Sequence, residues 1–202
     1  RAYVNNRQGG WLPRFSYRGD RVETEAGLEL RYHRSLHWGK VRWAVDLPPE
    51  AGPDYRFYEY RGAKWILSAY LNQGYRLSSR LKATAKLHLA HKRYRLFGER
   101  YVGNEFSVPF TFLNPQLGLN YDLNSRINGY VSVARTSREP RLVNFYDAAG
   151  SSGGAQPEFE RLAGGTGFDF DRPLAKPERL NNLELGSTYT SPTFTAGANL
   201  FW

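Results

Sequence analysis

Hydrophobic and polar residues alternate strictly along much of the chain. In Thr111–Arg138, TFLNPQLGLNYDLNSRINGYVSVARTSR, the residues Leu113, Pro115, Leu117, Leu119 and Tyr121 fall on one face. Asn114, Gln116, Gly118, Asn120 and Asp122 fall on the other. After the connection LNSR the pattern resumes, with Ile127, Val131 and Val133 opposite Asn128, Tyr130, Ser132 and Thr136. A period of two marks a strand, because successive side chains point to opposite faces of a sheet. Two such runs joined by a few turn-forming residues predict a β-hairpin. Its arms are about twice the usual five or six residues of a globular strand.

The same pattern recurs on either side. Trp11–Arg18 places Trp11, Phe15 and Tyr17 together, and Gly19-Asp20 then reads as a turn. Arg21–Arg34 sets Val22, Ala26, Leu28, Leu30 and Tyr32 against Glu23, Glu25, Glu29, Arg31 and His33. Ser35–Gly62 is irregular around LPPEAGPD, with KVRWAVDL and YRFYEY as two short pieces that pair as a local hairpin. Ala63–Arg76 alternates again, and so does Leu81–Phe97 after the turn LSSR. Leu81, Ala85, Leu89 and Leu96 also lie near helical spacing, but the unbroken alternation and the neighbouring strands favour a strand. Gly98–Val108 reads as a loop, Glu139–Arg179 as a long irregular stretch, and Leu180–Thr190 and Thr193–Trp202 as the last two strands.

Connection lengths then separate into two classes. Tight turns fall at Arg18–Arg21, Leu77–Arg80, Leu123–Arg126 and Ser191–Thr193, and long connections at Ser35–Gly62, Gly98–Val108 and Glu139–Arg179. They alternate short and long, so in an up-and-down sheet one end carries all the turns and the other all the loops. That asymmetry belongs to outer-membrane barrels. The expectation is an all-β fold, a portion of an antiparallel up-and-down transmembrane β-barrel with about eight long strands. Leu67, Leu87, Leu117, Val131 and Leu185 share the parity of the lipid face, and polar residues line a wet lumen.

Composition is compatible with this fold. No apolar run approaches the roughly 20 residues of a membrane-spanning helix, whereas barrel strands need lipid-facing residues only at every second position. The mean hydropathy of −0.62 therefore does not decide solubility. The absence of cysteine excludes a disulfide scaffold and a thiolate metal site. The net charge of +9 raises nucleic-acid binding. Lys and Arg are spread over the whole chain, however, with only a local excess at His91–Arg95, and no nucleic-acid partner is expected.

Catalytic signatures are missing: there is no Gly-x-Ser-x-Gly, P-loop or dinucleotide fingerprint, and GGTGFD reads as loop composition. The expectation is a protein that is not an enzyme and carries no cofactor. His33 and His37 share a strand face about 13 Å apart, too far for one ion, while Asp169 and Asp171 read as solvated loop acids.

NPQLGLNYDLNSRINGYVSVARTSREPRLVNFYD and KPERLNNLELGSTYTSPTFTAGANLFW resemble the C-terminal barrel half of TonB-dependent outer-membrane receptors. The resemblance rests on Arg138-Glu139-Pro140 at the entry to a long external loop. Lys176-Pro177-Glu178, Asn182 and Glu184-Leu185-Gly186 then open the next strand. It covers Thr111 to the end closely and the remainder in style. It implies a partial barrel domain over residues 1–202, in a fold of about 22 strands around a plug. No plug or energy-coupling box is recognisable here, and the chain reads as a fragment cut at both ends. It further implies the outer membrane of a Gram-negative bacterium, outer-membrane lipid around the barrel, and a TonB-type energy-coupling protein acting through the plug. The cargo it implies is a small molecule or metal chelate, most often an iron–siderophore complex, with cobalamin or a glycan behind it. A passive porin-like channel and a soluble β-rich binding module are the alternatives.

By parity and direction His33, Lys92, Tyr94 and Arg138 point inward near the external end, with Arg141 and Tyr146 just beyond. A cationic, aromatic-lined vestibule suits an anionic ligand, since Arg offers forked donors to carboxylates or catecholates. The plainer reading has these charges solvating the wall or pairing with Glu25 and Glu29. Six glycines and few apolar anchors (Val143, Phe145, Phe159, Phe168) in Glu139–Arg179 argue for a mobile loop, read as a lid over the ligand.

Overall fold

The alternation is realised as one antiparallel sheet. The computed structural model describes residues 1–41, 43, 45, 46, 51, 52 and 54–202. Its strands are β1 (Ala2–Trp11), β2 (Arg14–Arg18), β3 (Val22–Lys40), β4 (Arg56–Arg76), β5 (Leu81–Phe97), β6 (Phe106–Asp122) and β7 (Ile127–Arg138). Two 3-10 turns, Leu142–Asn144 and Ala148–Gly153, and a small hairpin of β8 (Phe159–Arg161) and β9 (Phe168–Pro173) follow. The chain closes with β10 (Glu178–Thr190) and β11 (Thr195–Phe201). The sheet order β1-β3-β4-β5-β6-β7-β10-β11 follows the sequence, with β2 also on β3 and β8-β9 apart.

β1 and β2 are one strand with a missing rung. Trp11 lies opposite Leu30 and Arg14 opposite Gly27, so the register is kept across the break. Proline has no N–H to donate, but the Pro13 carbonyl still accepts from the Leu28 N–H at 3.1 Å. Taken so, the sheet has the expected eight strands, and the tight turns fall where the sequence puts them. Side chains close them: Ser78 Oγ accepts from the N–H groups of Arg80 and Leu81 at 3.2 and 3.1 Å. Asn124 Oδ1 accepts from Arg126 and Ile127 at 2.8 and 3.0 Å. These are the local bonds that make Ser and Asn turn residues.

The boundaries at the other end differ from expectation. The first strand begins at Ala2 rather than Trp11, β3 runs on to Lys40, β4 starts at Arg56, and β6 starts at Phe106 inside the expected loop. Much of the supposedly irregular Ser35–Gly62 is therefore strand. YRFYEY pairs with the top of β3, Tyr60 opposite His37 and Tyr58 opposite Gly39, rather than with a second short piece. Of KVRWAVDL, Lys40 ends β3, Arg42, Ala44 and Leu47 lie outside the described residues, and the described remainder is not strand. The reason is physical: beyond the lipid band both faces meet water or protein, so hydrophobic alternation fades while the backbone ladder continues.

The two faces differ as expected in the lower part of the sheet. Odd-numbered positions of β4 to β7 carry large apolar side chains that stay half-exposed, such as Leu67 at 55% and Leu117 at 56%. An apolar surface spread over so many strands is far beyond what a soluble monomer leaves in water. It runs from the row Tyr75–Ala83–Leu119 up to the row Tyr32–Trp65. Ten residues rise about 34 Å along a strand, or about 26 Å along the normal at the usual barrel tilt, the height of a lipid-facing band. Aromatic rings mark both margins, Tyr75 and Tyr121 below and the Tyr32–Trp65 pair, 4.5 Å between centroids, above. No described helix is long and apolar enough to cross a membrane.

On the inner face, glycine makes room for a tyrosine ring at two places. A Cβ on Gly27 would sit 2.4 Å from the Tyr70 ring, and one on Gly186 2.2 Å from the Tyr130 ring. Each tyrosine ring fills the space of the missing side chain, the close approach that a strand glycine permits. Pairing between β6 and β7 stops at Gln116 opposite Ala134, one residue short of Pro115, which has no N–H to offer.

Candidate functional site

The loop end of the inner face is where the side chains converge. One cross-strand row carries His33, Lys64, Tyr94 and Val108 on β3 to β6, and the next row above carries Ser35, Gly62, Leu96 and Phe106. The segment after β7 folds down onto these rows instead of extending away. Phe145 is fully buried, its ring 5.9 Å from Phe110 and 6.1 Å from Phe159, and Phe106 lies 4.9 Å from Phe159 and 5.7 Å from Phe170. Leu96, Val108, Tyr146 and Ala148 complete this core. Among the described residues this is the buried apolar cluster, and it lies outside the lipid band.

Polar contacts fasten the root of the segment. Glu139, nearly buried, accepts from Lys64 Nζ at 2.7 Å and Lys92 Nζ at 2.8 Å, and from the Tyr94 hydroxyl at 3.4 Å. Burial pushes its carboxyl up, but the hydrogen bonds from Lys64 and Lys92 outweigh that and hold it at about 2. Glu139 is thus ionised at any physiological pH. The adjacent loop is organised alike: the Glu99 carboxylate accepts from the N–H groups of Tyr101, Val102 and Gly103, each at 2.8 Å. The Gly98 N–H in turn donates to Glu105 Oε1 at 2.9 Å, tying the start of the loop to the residue before β6.

Between the wall and the folded segment lies a cavity of about 250 Å³. Gly62 leaves room in it, since a Cβ there would crowd Ser35 Oγ at 3.0 Å and touch Leu142 at 3.5 Å. His33, Ser35 and His37 line one side, Tyr60, Lys64 and Tyr94 the floor, and Leu142, Val143, Tyr146 and Asp147 the loop side. His37 stacks on Tyr60 at 4.7 Å between centroids, and its Nε2 lies 2.8 Å from Ser35 Oγ. Burial pushes the Tyr146 hydroxyl up, so it stays neutral. A second inner depression of about 410 Å³ near the tight turns is polar, with Lys82 3.4 Å from Glu23, and lies at the end away from the loops.

Of the six residues expected at the vestibule, three line this cavity: His33, Tyr94 and Tyr146. Lys92 stands one row below, committed to Glu139. Arg138 and Arg141 are elsewhere: Arg138 is 73% exposed and pairs with Glu178 at 2.8 Å across β7 and β10, and Arg141 is exposed at the start of the first 3-10 turn. None of the six pairs with Glu25 or Glu29 among the described residues, whose partners include Arg14 and Arg31. The sequence reasoning missed Lys64 and Glu139. Parity alone puts Lys64 on the lumen face beside Tyr94, and a carboxylate where a strand ends at Glu139-Pro140 is the natural counter-ion.

A wall of long antiparallel strands with an apolar outer band, a polar inner face, tight turns at one end and folded loops at the other defines a barrel of the outer-membrane type. The chain belongs to the family of TonB dependent receptor-like β-barrels, whose pattern matches residues 2–202. That family is made up of transport receptors of the Gram-negative outer membrane. Solved structures with the same fold include the ferric yersiniabactin uptake receptor FyuA from Yersinia pestis, 19% identical, with a TM-score of 0.61. The copper transporter OprC is 15% identical with a TM-score of 0.72, and the ferric citrate transporter FecA 18% with 0.65. In each case 99% of this chain is covered but only 27–30% of the other, so the chain spans less than a third of their length. The curated proteins contain no match.

Proposed function

We propose that residues 1–202 are a wall segment of an outer-membrane receptor for energised uptake of a scarce nutrient, with an iron–siderophore complex as its cargo. In this reading the barrel works with a plug domain and, through it, with a TonB-type energy-coupling protein. The observation that carries the proposal is the 250 Å³ cavity at the loop end, walled by His33, Tyr94 and Tyr146 and closed by a segment clasped through Glu139. Its lining offers a chelate the Lys64 ammonium beside the rings of Tyr60 and Tyr94, while Glu139 and Asp147 balance the charges of Lys64 and Lys92. Several structural neighbours are named for ferric chelates, which supports the same cargo class.

The reading is tested with cells lacking the intact protein and supplied with radioiron as ferric citrate, a ferric catecholate or a ferric hydroxamate. Complementation by the wild type restores uptake of one of these, dependent on the proton gradient, and Lys64→Ala lowers it at least tenfold. Uptake that survives collapse of the gradient means a passive channel, and no difference for any chelate removes the siderophore assignment.

A further inference from the structure

The outer face carries a second feature, just above the lipid band and unrelated to the lumen. One cross-strand row there reads Arg7, Arg34, Ala63, Arg95 and Ser107 from β1 to β6, and the row beneath it Gly9, Tyr32, Trp65, Arg93 and Pro109. The members on β4 to β6 share the odd numbering of Leu67 and Leu87, and those on β1 and β3 lie in the same cross-strand rows, so all face outward. Ala63 is the critical position. It stands between Arg34 and Arg95, whose Cα atoms are two strand spacings apart, about 10 Å, and its methyl group is too short to fill the row.

The result is a notch of about 530 Å³ lined by Tyr32, Arg34, Trp65, Arg93, Arg95 and Phe97 among others. Phe97 orients two of the arginines, lying 5.3 Å from the Arg34 guanidinium and 4.8 Å from that of Arg95. Stacking on an aromatic face leaves the edge of the fork free for an acceptor. Among the described residues no carboxylate reaches ion-pairing distance of Arg34 or Arg93, and the one beside Arg95, Glu105, is 3.9 Å away and itself accepts from the Gly98 N–H at 2.9 Å. Three guanidinium groups around one notch thus share a single weakly placed counter-charge.

We propose that this notch binds the phosphate of an outer-leaflet lipid headgroup. The height decides for a lipid. The Arg34–Arg95 row lies two residues above the Tyr32–Trp65 margin, about 5 Å along the normal, at headgroup level. Arg93, cross-strand from Trp65 one row lower, also lines the notch, within the span that a long cationic side chain covers at a membrane interface. An acyl chain below the notch runs over Leu30, Leu67 and Leu89, while the phosphate sits between forked donors. The inference rests on the membrane placement of the wall and not on the cargo.

The test uses the intact protein in neutral detergent, titrated with dihexanoyl phosphatidic acid, dihexanoylglycerol and inorganic phosphate. Phosphatidic acid is expected to bind at least tenfold more tightly than either of the others. Arg34→Gln with Arg95→Gln should weaken it tenfold or more. Ala63→Leu should weaken it similarly, by filling the notch with no change of charge. Heat-modifiable migration confirms that each variant is folded. Equal binding of phosphatidic acid and phosphate means a free-anion site, equal binding of dihexanoylglycerol means apolar adsorption alone, and unchanged affinity in both variants places the lipid elsewhere. Each of these outcomes overturns the proposal, whereas loss of siderophore uptake has no bearing on it.

Discussion

The lower and upper parts of this sheet are built from the same strands but stabilised in different ways. Below the Tyr32–Trp65 margin the apolar side chains point outward and stay half-exposed, and the inner face is polar. Above it the arrangement inverts: the outer face carries arginines, and the inner face is packed with Phe106, Val108, Phe145 and Phe159. A barrel wall in lipid derives little from burying its outward side chains in protein, because lipid serves as their solvent. Among the described residues the protein-type core therefore lies where the wall leaves the membrane and a loop comes back to cover it.

Mutations at matched positions in the two regions should separate these mechanisms. The largest effect is expected from Phe145→Ala, which empties the centre of the upper core and costs about 3–5 kcal/mol. That cost falls on the covering segment alone. Limited proteolysis should cut within residues 139–177 while heat-modifiable migration of the barrel stays the same. Cleavage at the wild-type rate would mean that the core does not hold the segment. In the lower region Leu87→Arg should cost about 2–4 kcal/mol near the midplane, read as a lower urea midpoint for the barrel as a whole. A spin label at position 87 should report lipid and one at Lys86 water, and the reverse would invert the two faces.

Smaller effects are expected at the clasp. Glu139→Gln leaves two ammonium groups facing a weaker acceptor and should loosen the segment by about 1.5–3 kcal/mol. The pH dependence has a definite sign. The Glu139 carboxyl is held at about 2, below the ordinary value of 4.5, so its contribution is complete above 4.5 and disappears as the pH falls towards 2. Protection of residues 139–177 should be flat from neutral pH to about 5 and decline below that in the wild type, but not in Glu139→Gln. The smallest effect belongs to the tip of the β8–β9 hairpin. Replacing Leu162–Gly167, exposed and containing the left-handed Gly164, Gly165 and Gly167, by a two-residue turn should change the stability of the segment by under about 0.5 kcal/mol. A larger loss would mean that the tip takes part in the packing.

What the sequence disclosed follows the same division. The strands within the band were legible in both position and facing, because lipid on one side and water on the other write a period of two into β4 to β7. The upper halves of β3 and β4 were not, since Ser35, His37, Tyr58 and Tyr60 face protein and solvent together and show no alternation. The glycine-rich Glu139–Arg179 reads as mobile from its composition, yet Phe145 and Phe159 suffice to anchor it, and Ser151 is buried as well. Removing Ser151–Thr166 would therefore take out part of the core along with the tip. For the candidate site, facing was legible and pairing was not. His33, Tyr94 and Tyr146 were placed correctly by parity and proximity to the loop, whereas the engagement of Lys92 by Glu139 depends on how the chain turns at Pro140.

The interrupted first strand has a genetic consequence. Because β1 and β2 keep one register across Leu12-Pro13, the wall there tolerates the loss of a hydrogen bond but not of a residue. A point substitution at Pro13 leaves Phe15 and Tyr17 on the side facing lipid. Deleting that single codon turns both rings, and every side chain before or after them, to the opposite side. Deletion of two codons restores the facing. Along this strand, viable length variation should come in even steps, while at the loop end no such arithmetic applies.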